Sequence, residues 1–384
     1  MKKKKIATII GARPQIIKSA ALTKCILSEY KDRIEEIVIH TGQHYDANLS
    51  DVFFEELEIP LPKYNLAIGG KSEGKNPLGE MTNGIRDLLI KENPDVLVIY
   101  GDTDSTLAGA LAANKLGIPI AHIEAGLRSF DKGMPEEVNR ILSDHISTFL
   151  FCPTATAVKN LTDEGLHFKK EKPVSTNNPA IYHCGDIMYD NSLYFSKIAE
   201  TRSKVLEENN LKSQEFVLIT VHRAGNTDDA ERLRAIFEGL VELAEENSEY
   251  AFVLPIHPRT KAAIAAKLSD GLQQAIFSKI KVIPPVSFLD MIRLEQNCKL
   301  VITDSGGVQK EAYFFNKNAV ILREETEWVE IVENKKAALV DTDKEALKDA
   351  FSQFEKLDNE DFPKLFGDGK SARFICEKLL GVDS

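Results

Sequence analysis

Short apolar runs alternate with amphipathic segments along the first half of the chain. A run of four to six apolar residues between polar segments predicts a buried strand, and apolar positions spaced three and four apart predict a helix. The strands predicted in this half cover 6–10, 36–40, 95–100, 118–123 and 148–153. The helices predicted between them follow Gly11, cover 48–58, 79–91 and 105–115, and begin again at Pro135. This alternation is typical of a parallel sheet covered by helices.

The second half repeats the alternation. Its predicted strands cover 216–221, 251–256, 280–285, 300–305, 319–322 and 337–341. Its predicted helices cover 229–247, 259–268, 288–295, 308–315, 344–357 and 370–380. Between the two series, the polar segment 169–183 predicts a loop insertion, followed by a turn at 185–190 and a domain junction near 185–200. We therefore predict an α/β protein with two Rossmann-like domains that face each other across a cleft.

Composition agrees with this organisation. A chain of 384 residues is long for one core, and its 43% hydrophobic and 28% charged residues are typical of a soluble globular protein. A net charge of −11 argues against a nucleic-acid partner but not against a small anionic ligand. The five cysteines lack metal-ligand spacing, which predicts reduced thiols and no structural zinc. Without a signal-peptide core or a membrane-spanning run, we expect a cytoplasmic protein.

One stretch, His122 to Arg140, concentrates charged residues behind a predicted strand. Pro135 suits the first position of a helix, so Glu136 and Glu137 would lie in its first turn. Glu136 and Arg140 are four apart and would share a face, which also fits a simple surface ion pair. A functional interpretation is favoured by Glu124, because sites form where the strands of an α/β sheet end.

Asp102 ends another predicted strand, in the motif YGDTDST. By itself it would more simply cap the next helix. If Asp102 lies beside Glu124, a second interpretation is an acid–base role. Neighbouring carboxylates have different pKa values, so one can hold a proton while the other accepts one.

Two strand-to-helix turns are candidate anion sites. Arg13 and Lys18 belong to GARPQIIK, which is not a dinucleotide fingerprint and could equally be a solvated turn. In TDSGGVQKEA, the residues 305–307 precede a helix as a phosphate-binding loop would, and Glu311 lies one turn further, where it could accept hydrogen bonds from a ribose. His222 follows the first strand of the second half and could also be an ordinary turn residue.

Together these motifs resemble the non-hydrolysing UDP-N-acetylglucosamine 2-epimerases over nearly the whole chain. The motifs that occur in the family's order are GARPQIIK, TGQH, YGDT, HIEAGLR, MPEEVNR, VHR, IHPR, TDSGGVQKEA, TEW and GDGKSA. The resemblance implies a glycosyltransferase-B-like fold, a homodimer, no cofactor or metal, and a role in cell-surface polysaccharide biosynthesis. It implies a catalytic domain at 1–187, a UDP-binding domain at 188–366 and a terminal helix at 367–384 that returns to the first domain.

The resemblance also nominates site residues. Asp102, Glu124 and Glu136 match the family's catalytic carboxylates, and His222 matches its essential histidine. The positions that match contacts with the UDP-sugar are Arg13, Lys18, Arg140, Phe288, Ser305, Gly306, Gly307 and Glu311. The implied reaction is anti elimination of UDP to a 2-acetamidoglucal, followed by re-addition of UDP after C2 is protonated on the other face.

Some segments depart from the N-acetylglucosamine enzymes. GARPQ, HTGQHYDAN, FFEELEIPLP and TEWVE look more like the branch that acts on UDP-2,3-diacetamido-2,3-dideoxyglucuronate. Gly225 stands where relatives commonly have Glu, and Asp46 and the loop 69–76 do not match the residues that bind an activating second UDP-sugar. The alternatives are a UDP-sugar glycosyltransferase, a catalytically silent UDP-sugar sensor and a hydrolysing epimerase.

Overall fold

The computed structural model describes residues 2–43, 54, 57–68, 77–357 and 362–381. The chain divides into two compact units, which we call unit 1 (1–191 and 365–384) and unit 2 (192–364). Three segments discussed above lie outside the described residues: most of the predicted helix 48–58, the loop 69–76, and Asp46.

Unit 1 contains a seven-stranded sheet in the order β3-β2-β1-β4-β5-β6-β7, with every neighbouring pair parallel. The strands are β1 (Lys4–Ile10), β2 (Ile34–His40), β3 (Tyr64–Asn65), β4 (Val96–Tyr100), β5 (Ile120–Ile123), β6 (Phe149–Cys152) and β7 (Ala180–His183). The central strand β4 is buried at all five positions because helices cover both faces of the sheet. Strands β2 and β3 lie on one side of β1, and β4 to β7 lie on the other. The strand order therefore reverses between β1 and β4, and in such sheets a crevice forms at this switch point.

Most of the described helices of unit 1 were predicted, but Ala155–Asp163 and Ile187–Arg202 were not. The described helices of this unit are Arg13–Cys25 with a π-helical turn at Ile26–Tyr30, Pro77–Glu92, Asp104–Leu116, Pro135–His145, Ala155–Asp163, the start of Ile187–Arg202, and Ser371–Leu380.

Two predictions around the insertion are wrong. The end of the segment expected to be a loop, 180–183, forms β7 and pairs with β6, with Ala180 N donating to Thr148 O at 2.9 Å. An edge strand needs only one partner and buries only part of its surface, so it lacks the apolar run that marks a central strand. The turn expected at 185–190 ends early, because the helix Ile187–Arg202 begins inside it.

Unit 2 contains a six-stranded parallel sheet in the order β10-β9-β8-β11-β12-β13. Its strands are β8 (Phe216–Thr220), β9 (Ala251–Pro255), β10 (Lys281–Ile283), β11 (Val301–Thr303), β12 (Ala319–Ile321) and β13 (Ala337–Leu339). Its described helices are Val205–Glu208, Ala224–Thr227, Ala230–Glu246, Pro258–Lys267, Asp270–Lys279, Phe288–Asn297, Gly306–Phe314, Val329–Glu333 and Lys344–Glu355. The switch point lies between β8 and β11.

The terminal helix Ser371–Leu380 completes the core of unit 1. Its buried residues Ala372, Ile375 and Leu379 belong to the same apolar cluster as the central strands. Tyr30 donates from its hydroxyl to Glu377 Oε1 at 3.2 Å on the same side. No helix within the part of the chain that the structure describes is long and apolar enough to span a membrane.

Candidate active site

The candidate residues of unit 1 lie where three adjacent strands end. Lys18 is on the helix that follows β1, Asp102 follows β4, and Glu124 follows β5. Because parallel strands end at the same edge of a sheet, residues 22 to 106 positions apart in sequence reach one place. This place is the switch point of the sheet.

Two ion pairs bring four of these side chains together. Lys18 Nζ pairs with the Glu124 carboxylate, and Arg140 Nη2 donates to Asp102 Oδ2 at 2.6 Å. Gly101 lies against the Lys18–Glu124 pair: a β-carbon there would be 3.1 Å from Glu124 Oε2 and 3.2 Å from Lys18 Nζ. Since Gly101 also has a φ of +61°, a side chain at this position would both strain the turn and crowd the ion pair.

The structure separates the roles of the two adjacent glutamates. Arg140 Nη1 donates to Glu137 Oε2 at 2.8 Å, and Glu137 also accepts from Ser129 N at 2.9 Å and Phe130 N at 3.0 Å. Burial raises the pKa of Glu137, but the hydrogen bonds from Ser129 and Arg140 outweigh it and leave that pKa below its usual value. Glu136 is exposed and has no hydrogen bond or ion pair with any residue that the structure describes.

The simple surface ion pair of Glu136 with Arg140, which the sequence left open as an alternative, is therefore not formed. Residues three apart on a helix are neighbours as much as residues four apart. Arg140 takes the buried carboxylate of Glu137 because an unpaired charge there would be costly, whereas Glu136 remains hydrated.

A fully buried histidine joins the two carboxylate-bearing loops. His122 donates from Nε2 to Gly101 O at 2.8 Å, next to Asp102, and its Nδ1 lies 2.7 Å from Asp144 Oδ1. The other oxygen of Asp144 accepts from Gly126 N at 3.1 Å and from Arg128 Nη1 at 2.7 Å. We call His122, Asp144 and Arg128 the loop clamp, because they fix the turn after β4 to the turn after β5.

The pKa of Asp144 indicates that the clamp carries charge. Complete burial raises this pKa, but His122 and Arg128 lower it more, so the net shift is downward. Asp144 therefore stays ionised in the interior, where only paired charges are stable. The sequence analysis did not select His122, Asp144 or Arg128 as functional residues.

Glu124 occupies a backbone conformation that few residues adopt. Its φ is +71°, and its N–H and that of Ala125 both point to Phe151 O at 3.1 Å. A non-glycine residue in this region costs on the order of 1 kcal/mol, and such strain concentrates at functional sites. The turn thus holds the Glu124 carboxylate beside Lys18 at a local cost.

Gln15 joins the turn after β1 to the turn after β4. Its Oε1 accepts from Gly11 N at 2.8 Å and Ala12 N at 3.2 Å, and its Nε2 donates to Tyr100 O and Thr106 Oγ1, each at 3.0 Å. Gln15 was not among the sequence candidates, although an amide on the buried face of a helix was a signal for it. Arg13, two residues earlier, is exposed at the start of the same helix.

In unit 2 a buried aspartate positions the histidine. Asp304, only 1% exposed, accepts hydrogen bonds from His222 N at 3.1 Å and Arg223 N at 3.0 Å. The His222 ring is left accessible, and the ring of His257 lies 5.8 Å away at the end of β9. Partial burial, then the charges of His222 and Arg259, lower the pKa of His257. His257 is a second histidine that the sequence analysis did not select.

The loop 305–307 begins the helix Gly306–Phe314 as predicted. Ser305 is the N-cap, and its hydroxyl accepts from Val308 N at 3.4 Å. A β-carbon at Gly307 would lie 3.9 Å from Ser305 Oγ and 4.0 Å from Glu311 Oε2, so the Glu311 carboxylate leans over the same helix end. The first N–H groups of a helix have no intrahelical acceptor, and they attract anions.

Glu311 has a buried carboxyl neighbour in Glu295, whose side chain is completely inaccessible. Burial raises the pKa of Glu295 well above its usual value, and the adjacent Glu311 raises it further. Neither Glu295 oxygen has a hydrogen-bond donor among the described residues, so the pair forms a hydrogen bond only when one carboxyl holds a proton. Glu295 was not among the sequence candidates.

Phe288 is mostly enclosed in unit 2. Its ring is 7% exposed and packs edge-to-face on Phe195, with centroids 5.3 Å apart. Within the described ranges of the chain, no three His, Cys, Asp or Glu side chains are grouped so as to hold a metal ion.

Comparison with known proteins decides the family. The model of the UDP-N-acetylglucosamine 2-epimerase family matches residues 28–380. The chain belongs to this family. Its members are UDP-sugar 2-epimerases, so the family resemblance predicted from the motifs is confirmed, as is the assignment to the isomerases.

Three relatives resemble this epimerase over nearly the full length of both chains. A UDP-N-acetylglucosamine 2-epimerase homolog of Methanococcus maripaludis is 46% identical over 98% of this chain and 100% of its own. The UDP-2,3-diacetamido-2,3-dideoxy-D-glucuronate 2-epimerase of Pseudomonas aeruginosa is 45% identical over 98% of this chain and 99% of its own.

The third relative is a solved structure, the UDP-GlcNAc 2-epimerase of Methanocaldococcus jannaschii in complex with UDP-GlcNAc and UDP. It is 42% identical with a TM-score of 0.81, over 98% of this chain and 99% of that one. With the two parallel sheets, this match confirms the predicted glycosyltransferase-B-like α/β class.

Proposed function

We propose that the protein is a non-hydrolysing UDP-N-acetylglucosamine 2-epimerase that interconverts UDP-GlcNAc and UDP-ManNAc. The observation that carries this proposal is the carboxylate pair Asp102 and Glu124. The two acids follow adjacent strands of the sheet. Asp102 forms an ion pair with Arg140, and Glu124 forms one with Lys18. Two differently held carboxyl groups suit a reaction that removes a proton from one face of a carbon and returns one to the other.

The proposed reaction has two halves. In the first, a base removes the C2 proton, the C2–H electrons form the C1=C2 double bond, and the C1–O bond breaks so that UDP leaves with its electron pair. In the second, a UDP oxygen adds to C1 of the 2-acetamidoglucal, and C2 takes a proton on the opposite face. The UDP that leaves in the first half is taken up again in the second, so the net change is inversion at C2 and no oxidant or water is consumed.

We assign the proton transfers to Asp102, Glu124 and Glu136. Arg140 and Lys18 orient the first two, and Glu136 reaches substrate from the exposed side of its helix. Which acid serves which face is decided by measuring elimination and C2 exchange separately in each single variant.

We propose that residues of unit 2 bind the departing diphosphate. Charge accumulates on it as the C1–O bond breaks, and hydrogen-bond donors preorganised at that point lower the barrier. The donors are the amides of the loop 305–307 and His222, with Arg13 from unit 1. In this proposal Glu311 binds the ribose and Phe288 packs against uracil.

A second candidate substrate is UDP-2,3-diacetamido-2,3-dideoxyglucuronate. The Pseudomonas aeruginosa relative named for this substrate is 45% identical over nearly the whole chain, almost the same identity as the 46% of the UDP-N-acetylglucosamine 2-epimerase homolog. The chemistry at C1 and C2 would be the same in both sugars, so the two candidates differ only in how the C3 and C6 groups are recognised.

Three further properties belong to the same proposal. We propose that the active form is a homodimer, which the mass of the protein in solution tests. We propose that it works in the cytoplasm, where nucleotide sugars are made, and this fits five cysteines that form no disulfide. The product would then supply cell-surface polysaccharide synthesis.

Deuterium exchange tests the proposed function. The protein is incubated in D₂O with each candidate UDP-sugar, and NMR follows C2. We expect deuterium at C2 of the epimer, and Asp102→Asn should slow its appearance by about 100-fold or more, the scale of lost acid–base catalysis. Asp163→Asn is the matched control, since Asp163 is exposed on another helix and should leave the rate unchanged.

Three results would contradict this function. Absence of C2 exchange with both sugars would refute the epimerase. Sugar transfer that depends on an added acceptor would indicate a glycosyltransferase instead. Accumulation of UDP and free N-acetylmannosamine would indicate a hydrolysing enzyme.

A further inference from the structure

The segment 323–328, which follows β12, lies against the start of the helix Gly306–Phe314. Thr326 Oγ1 donates to Gln309 Oε1 at 2.6 Å, and Gln309 is fully buried. Trp328 N in turn donates to Thr326 Oγ1 at 3.1 Å. The 323–328 segment is thus fastened to the first turn of the helix by a buried amide.

Two charged side chains of this segment reach the helix end. A β-carbon at Gly306 would collide with Glu327 Oε1 and would lie 3.7 Å from Arg323 Nη1. Gly306 therefore leaves the space that a carboxylate oxygen now fills. In this arrangement an anionic group lies at the N-terminus of the helix, where the helix dipole and the N–H groups favour it.

The arginine is enclosed, whereas the glutamate is not. The Arg323 side chain is 10% exposed and the Glu327 side chain 28%, and Arg323 Nη1 lies 2.9 Å from Glu327 Oε2. Despite this short distance, Nη1 lacks a well-aligned hydrogen-bond acceptor among the described residues. A buried guanidinium donor without such an acceptor is costly, so Arg323 is prepared for an anion with better geometry than Glu327 offers.

We infer that Arg323 is a further ligand of the UDP diphosphate, and that Glu327 is an internal anion that the diphosphate displaces. This inference rests on the proposed function, because it takes UDP as the ligand of the helix end. A diphosphate carries more charge than one carboxylate, and its oxygens can accept two parallel N–H bonds from arginine. Glu327 is exposed enough to turn toward solvent when it is displaced, while the Arg323 side chain is mostly enclosed.

The inference predicts opposite effects for the two partners. Removing the charge of Glu327 removes a competitor and should strengthen UDP binding. Removing the guanidinium of Arg323 removes a ligand and should weaken it. The two effects should not add, because without Arg323 the carboxylate loses its partner at the helix end.

Titration calorimetry with UDP tests this on the full chain. Against wild type, we expect Glu327→Gln to lower the Kd by about 2- to 5-fold, as for the loss of one partly exposed ion pair. Arg323→Met should raise the Kd by about 10- to 100-fold, as for the loss of a charged hydrogen bond. In the Arg323→Met background, Glu327→Gln should change the Kd by less than about 2-fold.

Glu324→Gln is the matched control. Glu324 belongs to the same segment and carries the same charge, but its side chain is 79% exposed and lies near Arg232. It should leave UDP affinity unchanged, which separates local displacement from a general effect of charge. Uridine is the second control, because without phosphates its affinity should be the same in every variant.

The outcomes separate this inference from the proposed function. If wild type binds UDP and Glu327→Gln leaves the Kd unchanged or raises it, displacement is refuted. If both Arg323→Met and Arg323→Lys bind UDP like wild type, Arg323 is not a ligand. Arg323→Lys and Glu327→Gln keep the test decisive should Arg323→Met fail to fold. If wild type shows C2 exchange while these predictions fail, only the inference falls; if wild type binds no UDP, both fall.

Discussion

At the residue scale, the candidate site depends on distinctions between neighbours of the same chemical type. Glu136 and Glu137 are adjacent in the first turn of one helix, yet Glu137 is 1% exposed and bound to Arg140, while Glu136 is open to solvent. The buried acid has three hydrogen-bond donors and the exposed one has none among the described residues. Glu137 therefore has a structural role, and Glu136 is the one whose carboxyl is available to a substrate.

The two glutamates give a matched pair of variants. We expect Glu137→Gln to lower the free energy of unfolding by about 1–3 kcal/mol, because a buried charged hydrogen bond to Arg140 is lost. Glu136→Gln should change stability by less than about 0.5 kcal/mol, as at an exposed position, and should still slow C2 exchange by about 100-fold. Urea denaturation and the D₂O assay measure the two quantities. Equal stability of the two variants would refute this division of roles.

At the element scale, the ends of adjacent strands bring together the candidate residues within each unit. In unit 1 the turns after β4 and β5 carry the carboxylates, and the loop clamp joins them through one buried histidine. In unit 2 the turns after β8, β11 and β12 carry His222, Ser305 and Arg323. Each set surrounds the point where the strand order reverses, so the topology of the sheet determines which turns meet.

The loop clamp predicts a joint loss of stability and activity. Asp144→Asn leaves His122 and Arg128 without their buried anion, so the free energy of unfolding should fall by about 3–5 kcal/mol. The carboxylate-bearing turns should loosen, and C2 exchange should slow in the fraction that remains folded. Because the folded pKa of Asp144 is lowered, its stabilising contribution is present above its unfolded pKa and is lost as the pH falls through the folded value.

Denaturation and exchange are compared with Asp163→Asn, whose side chain is 60% exposed and should cost less than about 0.5 kcal/mol. If Asp144→Asn were destabilised but exchanged deuterium at the wild-type rate per folded molecule, the clamp would not position the catalytic turns.

At the scale of the whole molecule, the two ends of the chain meet in unit 1. The terminal helix begins where Asp190 accepts from Ser371 N at 3.1 Å and Ala372 N at 2.8 Å. Burial raises the pKa of Asp190 to about 6, although these two hydrogen bonds partly offset it. A titrating group therefore sits at the contact that attaches the last helix to the unit that contains β1.

This group makes stability depend on pH in a specific direction. Because its folded pKa of about 6 exceeds its ordinary value of 3.8, the stabilising effect of its proton is complete below the unfolded pKa and is lost as the pH rises through the folded pKa. The unfolding free energy of wild type relative to Asp190→Asn should thus decrease from pH 4 to pH 7, by up to about 3 kcal/mol. Denaturation of both proteins across this range measures it.

Asp368→Asn is the control for this dependence, because Asp368 is near the same helix but 58% exposed. Its difference from wild type should be the same at every pH. A difference between wild type and Asp190→Asn that stayed flat or grew with pH would contradict the assignment.

Much of the architecture could be predicted from local pattern. The runs VLVIY and FVLIT are continuous apolar segments, and both form strands buried at every position. Edge elements were harder: β7 and the helix Asp270–Lys279 were not predicted, because neither buries enough surface to leave a clear apolar period. The motif residues were found because residue type and position at a strand end are both visible in the sequence.

The sequence by itself determined the order of strands and helices, the positions of the turns at strand ends, and membership of the epimerase family. These follow from properties that each segment carries alone: its apolar period, its caps and its motif. Only the tertiary structure decided that Arg140 binds Glu137 and not Glu136, that His122 joins two loops, and that Glu327 lies at Gly306 beside Arg323. Those partners are chosen by burial and charge compensation where strand ends meet, and no local pattern records which side chains will share that space.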